Sequence, residues 1–175
     1  MNSIEIREAN ILDAEFIAIL GRVTFTETFG QYFSDKSDLL TYYERTFSVK
    51  KIRSSIKNLN NVFWIAFVNE LPVGYAKLKL NSKSEFIETS KISQLQKIYV
   101  LKDFLSMKIG LELQTKLIDK ATAHGSAIIW LSVLKENIRA INFYNTNGFS
   151  TIGAHDFKIG KENFDFNVMS KSLTK

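Results

Sequence analysis

Residues 94–121, QLQKIYVLKDFLSMKIGLELQTKLIDKA, decide the fold of this chain. The part up to Val100 alternates apolar and polar residues, which is typical of a central β-strand. Leu113, Leu117 and Ala121 then recur at the spacing of one helix face. A short loop joins the two patterns. The stretch therefore predicts a strand, a loop and an α-helix in direct succession.

The flanking sequence extends this unit into a mixed α/β chain without repeats, with the predicted order β-α-α-β-β-β-α-β-α-β-β. The predicted strands are IEIR at 4–7, NVFWIAFV at 61–68, VGYAKLKL at 73–80, KISQLQKIYV at 91–100, AIIWLSV at 127–133, FSTIGAHDFKI at 149–159 and ENFDFNVMS at 162–170. Further helices are predicted from SDKSDLLTYYERTF at 34–47 and VKKIRSSIKNL at 49–59, as one or two helices, and from IRAINFYNTNG at 138–148.

The first helix is predicted to follow Asn10 as its N-cap, with Asp13 three residues on as an imperfect capping box. Its apolar residues are expected on one side of the helix. They are Ile11, Leu12, Phe16, Ile19, Leu20 and Val23.

Composition excludes several classes of protein. The chain has 175 residues, 45% of them hydrophobic, which suits a single domain over 1–175. The absence of cysteine excludes disulfides, thiolate zinc sites and a cysteine nucleophile. Because the only histidines are His124 and His155, no metal site is expected.

Charge and hydropathy point away from nucleic acids and membranes. The net charge of +5 is scattered along the chain, whereas nucleic-acid-binding proteins present a denser basic face. No stretch reaches the ~20 apolar residues of a membrane helix. The opening MNSIEIREANILDAEF carries acids early and no long apolar run, so no signal peptide is expected. The expected location is the cytoplasm.

The loop between the strand and the helix, residues 102–110, has two interpretations. A helix N-terminus offers free N–H groups and a positive dipole end to a phosphate, and Gly110 lets the backbone approach an anion closely. A lone glycine also serves as a packing or turn residue. Neither GxxxxGK[ST] nor GxGxxG is present, so this is not a P-loop or a dinucleotide fingerprint.

Two blocks of sequence resemble the GNAT superfamily of acetyl-CoA-dependent N-acetyltransferases. In the first block, Leu105–Gly110 stands where the family has Q/R-x-x-G-x-G/A; Gly110 matches this signature, whereas Leu105 and Lys108 depart from it. The second block, IIWLSVLKENIRAINFYNTNGF at 128–149, follows the family order W-L-x-V-x-x-x-N-x-x-A-x-x-F-Y-x-x-x-G-F.

The tail GAHDFKIGKENFDFNVMSKSL at 153–173 and TFTETFG at 24–30 look like the PaiA-type polyamine acetyltransferases within that superfamily. The superfamily resemblance covers residues 60–170, and the N-terminal helices more loosely. It implies a GNAT fold, with a central mixed, mostly antiparallel sheet of about seven strands and about four flanking helices. It also implies acetyl-CoA as cosubstrate, a small-molecule amine such as a polyamine as acceptor, and a homodimer through the C-terminal strands.

The same resemblance assigns the residues that bind the cofactor. The pyrophosphate of coenzyme A is expected to bind to the backbone N–H groups of Ser106, Met107, Lys108, Ile109, Gly110 and Leu111. The pantetheine arm and the thioester are expected to contact Ile98, Tyr99, Val100, Asn137 and Tyr144. Lys108 stands at the second signature position. A positive φ there strains a lysine, while the ammonium group of Lys108 can lie near a phosphate. N-capping alone also explains Asn137.

Tyr144 is the candidate catalytic acid, because the matching family hydroxyl faces the sulfur of coenzyme A. From the residues alone, a packed tyrosine with a surface hydroxyl remains the alternative. The general base stays open, because Gln94 and Gln96 stand where many relatives carry a glutamate, and glutamine cannot take a proton. His155, a nearby carboxylate, a water chain or an amine that arrives neutral would replace it.

Glu27, Gln96 and His155 are the candidate acceptor-binding residues, with Glu27 positioned to hold a cationic amine. Asp35, Asp38 and Glu44 are further candidates, although a solvated helix face explains them equally well. Two other functions stay open. They are a catalytically weak CoA-binding sensor or regulatory domain and a peptide or protein N-acetyltransferase.

Overall fold

The computed structural model describes residues 3–174 as one seven-stranded sheet with five α-helices on its two faces. The predicted seven-stranded mixed sheet is confirmed, with five helices where about four were expected. Residues 1, 2 and 175 of the predicted domain lie outside the described residues. The strands are β1 (Ile4–Glu8), β2 (Asn61–Val68), β3 (Leu71–Lys79), β4 (Ile92–Val100), β5 (Ile128–Leu134), β6 (Ser150–Ile159) and β7 (Glu162–Ser172). The helices are α1 (Ala14–Phe29), α2 (Lys36–Phe47), α3 (Val49–Lys57), α4 (Ile109–Ala123) and α5 (Ile138–Thr146).

The strands follow the order β1-β2-β3-β4-β5-β7-β6 in the sheet. Every neighbouring pair is antiparallel except β4 and β5, which are parallel and are joined by α4. β6 forms one edge of the sheet. The expected dimer through the C-terminal strands stays a prediction. Because β4 and β5 are parallel, their carboxyl ends point toward the same side of the molecule.

Three helices, not two, precede β2. Asn10 forms a complete capping box with Asp13, and this box closes a 3₁₀ turn at Ile11–Asp13 from which α1 continues. Ser48 separates α2 from α3, because its extended backbone (φ −71°, ψ 147°) ends one helix and its hydroxyl accepts a hydrogen bond from the N–H of Lys51, 3.3 Å away, at the start of the next. The predicted single or double helix is therefore a pair.

The expected apolar side of α1 is wrong. Leu12, Phe16, Ile19 and Val23 are all exposed, and Leu20 is the one member of that set that is fully buried. The buried side of the helix instead carries Ala14, Ile17, Ala18, Leu20, Gly21, Thr24, Phe25 and Phe29. On this side Gly21 lies so close to α2 that an added Cβ would stand 2.4 Å from Cδ1 of Phe47. Small residues allow this close approach, and apolar periodicity alone does not report it.

Core packing divides the two faces of the sheet. α4 and α5 cover one face, where their apolar side chains meet those of β2 to β5. α1 and α3 cover the other face, and α1 and α2 continue that layer over β5, β6 and β7. Any opening through the sheet therefore has one mouth beside α4 and α5 and another beside α1 and α2.

Candidate functional site

The sheet opens between β4 and β5. These strands pair only at Ile92, Ser93 and Gln94, whereas β5 continues to Leu134 with β7 as its partner. A bulge in β4 accompanies the separation, because Leu78 faces Leu95 and Lys77 faces Lys97, which leaves Gln96 without a partner in β3. Beyond Gln94, backbone groups of β4 that point toward β5 therefore have no ladder partner there.

A cleft occupies this gap. It is lined by Thr28 and Phe29 of α1, residues 95–99 of β4, residues 132–134 of β5, Asn137, Ala140 and Tyr144 at α5, and Phe166 of β7. The lining comes from both helix layers, so the cleft joins the two faces of the sheet. Among the residues that the structure describes, its lining carries one cation, Lys97, and no carboxylate.

Asn137 and Tyr144 lie together at the α5 side of the cleft. The side-chain oxygen of Asn137 accepts a hydrogen bond from the N–H of Ala140, 3.1 Å away, so the predicted N-cap is present. The Tyr144 ring packs edge-on against Phe143 and Phe149. Burial raises the pKa of the Tyr144 phenol above its ordinary value, so the hydroxyl stays protonated as a donor at neutral pH.

The loop before α4 is a 3₁₀ helix at Lys102–Met107, followed by Lys108 with φ +60° and ψ 12°. The left-handed backbone considered for Lys108 is therefore present, at a cost of about 1 kcal/mol for a residue with a Cβ. The side chain of Lys108 is exposed. Its carbonyl accepts from the N–H groups of Leu111 and Glu112. The first N–H groups of α4 point out of the helix end.

Gly110 lies in the first turn of α4, where an added Cβ would meet only Cγ2 of Ile98, at 4.0 Å. Its backbone does not require glycine, so the missing side chain leaves open space beside the helix end. Ser106 is exposed and Met107 is half-buried, while the side chain of Ile109 is buried in the core. At Ile109 only the backbone can meet a ligand.

The predicted strand residues fall in different places. Ile98 and Tyr99 line the cleft, whereas Val100 packs into the core on the α4 face. Tyr99 stacks on Tyr75 with 5.9 Å between ring centroids. Burial raises the pKa of Tyr99. Gln94 is tied to the loop after β3, since its side-chain oxygen accepts from the hydroxyl of Ser82 at 3.0 Å.

The three predicted acceptor residues do not form one group. Gln96 lines the cleft. Glu27 is exposed, and its Oε2 accepts from the backbone N–H of Lys102, 3.2 Å away, which ties α1 to the loop. His155 lies behind the cleft, with its ring stacked on Phe166 at 5.3 Å between centroids.

A hydrogen bond connects His155 to the cleft. Its Nε2 lies 2.9 Å from Oγ of Ser132, and its Nδ1 lies 3.2 Å from the carbonyl oxygen of Asp156. A carbonyl only accepts, so we assign the proton to Nδ1; in the neutral ring Nε2 then accepts from the Ser132 hydroxyl. Ser132, which sequence reasoning missed, lines the cleft itself.

Lys97 was also missed, although a lysine inside a predicted central strand was a visible signal. Its Nζ lies 5.1 Å from the ring centre of Phe47 and 5.7 Å from that of Tyr99. It forms no ion pair with any residue in 3–174. Burial lowers the pKa of Lys97 to about 8.

The other candidate carboxylates are engaged elsewhere. Asp35 caps α2 and pairs with Nζ of Lys161 at 2.8 Å, and Asp38 accepts from the backbone N–H of Lys161. Glu44 pairs with Arg22 at 3.0 Å. Within residues 3–174, no cluster of three or more potential metal ligands occurs, and no helix is long and apolar enough to cross a membrane.

Comparison with known proteins gives a consistent result. Residues 24–149 match the profile described as the acetyltransferase (GNAT) family. The chain is 28% identical over 160 residues to an uncharacterized N-acetyltransferase of Lactobacillus delbrueckii subsp. lactis, which covers 91% of each protein. It is 25% identical over 150 residues to the spermidine N(1)-acetyltransferase of Thermoplasma acidophilum, covering 84% of this chain and 88% of that protein.

Among solved structures, the PaiA N-acetyltransferase of Thermoplasma acidophilum in complex with coenzyme A has the same fold. The TM-score is 0.76 and the identity 24%, over 97% of this chain and 99% of that one.

Proposed function

The chain belongs to the GNAT family of acetyltransferases, and we propose that it transfers the acetyl group of acetyl-CoA to the primary amine of a small molecule in the cleft between β4 and β5. The observation that carries the proposal is the separation of β4 from β5 after Gln94. It supplies unpaired backbone groups beside a buried tyrosine, and an opening from each face of the sheet. Acetyl-CoA supplies the acetyl group as a thioester.

The residues at the α4 face fit coenzyme A. The pyrophosphate is proposed to bind at the positive end of α4, to backbone N–H groups of Ser106, Met107, Lys108, Ile109 and Gly110. The N–H of Leu111 is already donated to the carbonyl of Lys108. The space beside Gly110 leaves room for an anion. The unpaired groups of β4 near Ile98 and Tyr99 suit the amide-rich pantetheine arm, because they otherwise lack partners. Asn137 keeps its side-chain N–H₂ for the same arm while its oxygen caps α5.

Tyr144 is proposed as the proton donor to the sulfur. Its hydroxyl stays protonated because burial raises the pKa of the phenol, and a hydrogen bond to sulfur gains strength as negative charge builds there. Backbone N–H groups of the separated part of β4 are proposed as donors to the thioester carbonyl oxygen. Both interactions are stronger during reaction than before it, which is what accelerates the chemical step.

Ser132 and His155 are proposed to take the proton that the amine loses. A C–N bond forms and the C–S bond breaks; the amine proton passes to Oγ of Ser132 as the hydroxyl proton passes to Nε2 of His155. The 2.9 Å separation of these atoms permits the transfer. The pair replaces the strand glutamate of many relatives, whose place is held by glutamines.

A polyamine acceptor is the candidate that the relatives support, since one of them carries the name spermidine N(1)-acetyltransferase. Glu27 lies next to Thr28 at the cleft and is the carboxylate that such a cation would use. A CoA-binding sensor without turnover remains the alternative from another class, motivated by the glutamines and by Leu105 and Lys108 in the signature.

The test is thiol release from acetyl-CoA with a panel of polyamines, amino acids, aminoglycosides and peptides, beside calorimetric binding of coenzyme A. Turnover with one amine class establishes the enzyme. Tight CoA binding without thiol release for any amine favours the sensor. Absence of CoA binding would contradict the assignment of the cleft.

A further inference from the structure

We propose that the acceptor is an amine that also carries a carboxylate, an amino-acid-type substrate, and that Lys97 determines this specificity by pairing with the carboxylate. This inference rests on the proposed function of the cleft and names its substrate class. It departs from the polyamine that the relatives support.

The acceptor enters from the face covered by α1 and α2. The groups that suit coenzyme A lie on the other face, at the start of α4 and at α5. Side chains alternate along β5, so Leu131 and Val133 face α4 while Ser132 faces α1. Lys97 and Tyr99 lie on that same face, since Lys97 contacts Phe47 of α2.

The charge of the cleft opposes a polycation. Its lining, over the residues described, has Lys97 as its one charged side chain. Asp35, Asp38 and Glu44 are held by Lys161 and Arg22, and Glu27 is bound to the backbone of Lys102. Two or three positive charges would therefore meet a cation and no lining carboxylate, whereas an anionic group would meet a partner.

Lys97 also has a like-charged neighbour. Lys77 stands directly opposite it on β3, half-buried like Lys97, with its Nζ over the Phe63 ring at 5.3 Å. Neither lysine forms an ion pair within residues 3–174. Burial, and then the charge of Lys97, lower the pKa of Lys77 to about 8. Like charges opposite each other destabilise a sheet, and an anion bound at Lys97 relieves that repulsion.

The walls of the cleft suit the rest of such a substrate. Phe29, Tyr99 and Phe166 provide aromatic surface for an apolar or aromatic side chain. Ser132 provides the hydroxyl that receives the amine proton. A single lysine matches the single charge of a carboxylate, since phosphate recognition usually adds an arginine or several backbone N–H groups.

The experiment compares matched amines with and without a carboxylate. The pairs are lysine and cadaverine, tyrosine and tyramine, and 4-aminobutyrate and butylamine, with spermidine added. kcat and KM are measured for the wild type, Lys97→Met, Lys97→Glu and Lys79→Met. Lys79 is the matched control, because it is an exposed lysine on β3 that does not line the cleft. Binding of the same amines to the CoA-loaded protein is followed by thermal shift.

We expect the carboxylated member of a pair to have a kcat/KM higher by about tenfold or more, the worth of one charge-assisted hydrogen bond. Lys97→Met should remove that preference through KM, Lys97→Glu should reverse it, and Lys79→Met should keep it. Preference for spermidine or cadaverine in the wild type overturns the proposal. So does an equal loss of kcat for both members in Lys97→Met, which would make Lys97 a proton carrier.

Failure of the proposed function is distinguishable from failure of this inference. If no amine releases thiol, the thermal shift still ranks the matched amines on the CoA-loaded protein. Stabilisation by the carboxylated members alone upholds the specificity, and equal or absent stabilisation for both members contradicts it.

Discussion

The hydroxyl of Ser132 on β5 and Nε2 of His155 on β6 lie 2.9 Å apart, although β7 runs between their strands. The imidazole reaches across β7 while its ring stacks on Phe166. Both side chains are half-buried, and polar groups that lose contact with water usually gain such a partner. On the side of the cleft where the amine is proposed to enter, the Ser132 hydroxyl therefore has a proton-accepting nitrogen of His155 behind it.

Removing the imidazole nitrogens should slow the reaction. We expect His155→Phe to lower kcat about 10- to 100-fold at neutral pH, because the ring stack on Phe166 is kept while the proton acceptor is lost. The measurement is the steady-state kcat of the wild type and the variant under the same conditions, with the affinity for coenzyme A as a check that the cleft is intact.

Ser132→Ala should cause a similar loss, and the double variant should lose little more, because the two residues act as one unit. His124→Gln is the control, since the side chain of His124 is exposed, is bonded to Asn81 and does not line the cleft. Independent, multiplying losses in the double variant would argue against a shared proton route.

Tyr144→Phe should lower kcat by about 100-fold and leave the affinity for coenzyme A within about twofold, because one hydroxyl is removed and the ring stays packed. Since burial raises the pKa of Tyr144, titration of this phenol should not limit activity below about pH 10. Tyr32→Phe, outside the cleft, is the matched control. Retention of full kcat in Tyr144→Phe would show that the sulfur leaves without this donor.

The parts of the site that follow local pattern could be predicted from the sequence. The alternation before Val100, the helical spacing of Leu113 and Leu117, and the position of Asn137 before an apolar helix each depend on neighbours within a few residues. The resemblance to the GNAT family gave Tyr144 the role of proton donor to the sulfur of coenzyme A, and that role stays a prediction, although Tyr144 lines the cleft.

Other parts depend on distant contacts. Ser132 and His155 meet across β7, and the strand order β5-β7-β6 that places them on either side of it is not visible in the chain sequence. On α1, Gly21 lies on the buried side against Phe47, whereas Phe16, Ile19 and Val23 are exposed, and this choice of side depends on a contact with α2 that is distant in sequence. Glu27 was expected to meet the amine because its carboxylate was visible in the sequence, while its bond to the loop was not.

Lys108→Gly separates strain from charge in the loop. At φ +60° a glycine has no Cβ penalty, so we expect the free energy of unfolding to rise by up to about 1 kcal/mol. We also expect coenzyme A to bind more weakly and with a smaller salt dependence, because an ammonium near the pyrophosphate is lost. Urea unfolding and calorimetry at two salt concentrations measure both effects.

Glu70→Gly is the control for strain alone. Glu70 has φ +66° in the turn between β2 and β3, away from the cleft, so stability should rise there with no change in CoA affinity. A salt-insensitive gain in affinity for Lys108→Gly would exclude the charge role of this lysine.

The buried charge of Lys97 should limit stability at neutral pH. The folded protein holds Lys97 at a pKa of about 8, below the ordinary value of about 10.4. Below pH 8 Lys97 is protonated in both the folded and the unfolded state, and the folded state carries the cost of desolvating its charge. Above pH 8 the folded state releases a proton that the unfolded chain keeps, so stability should rise with pH toward about 10.4.

Lys97→Met should therefore raise the free energy of unfolding at pH 7 by roughly 1–2 kcal/mol, after allowance for solvent screening of a half-buried group. The Lys97→Met variant should also show only about half of the wild-type rise in the free energy of unfolding between pH 8 and 9.5, because Lys77 contributes the other part. Measurements stop at pH 9.5, since burial raises the pKa of Tyr75 and Tyr99 and their titration in the unfolded chain reverses the trend above that range. Thermal unfolding of the wild type, Lys97→Met and Lys79→Met at pH 7 and 9.5 checks the prediction. A Lys97→Met protein that is less stable than the wild type at pH 7 would mean that the cation stabilises the fold through the Phe47 and Tyr99 rings more than its burial costs.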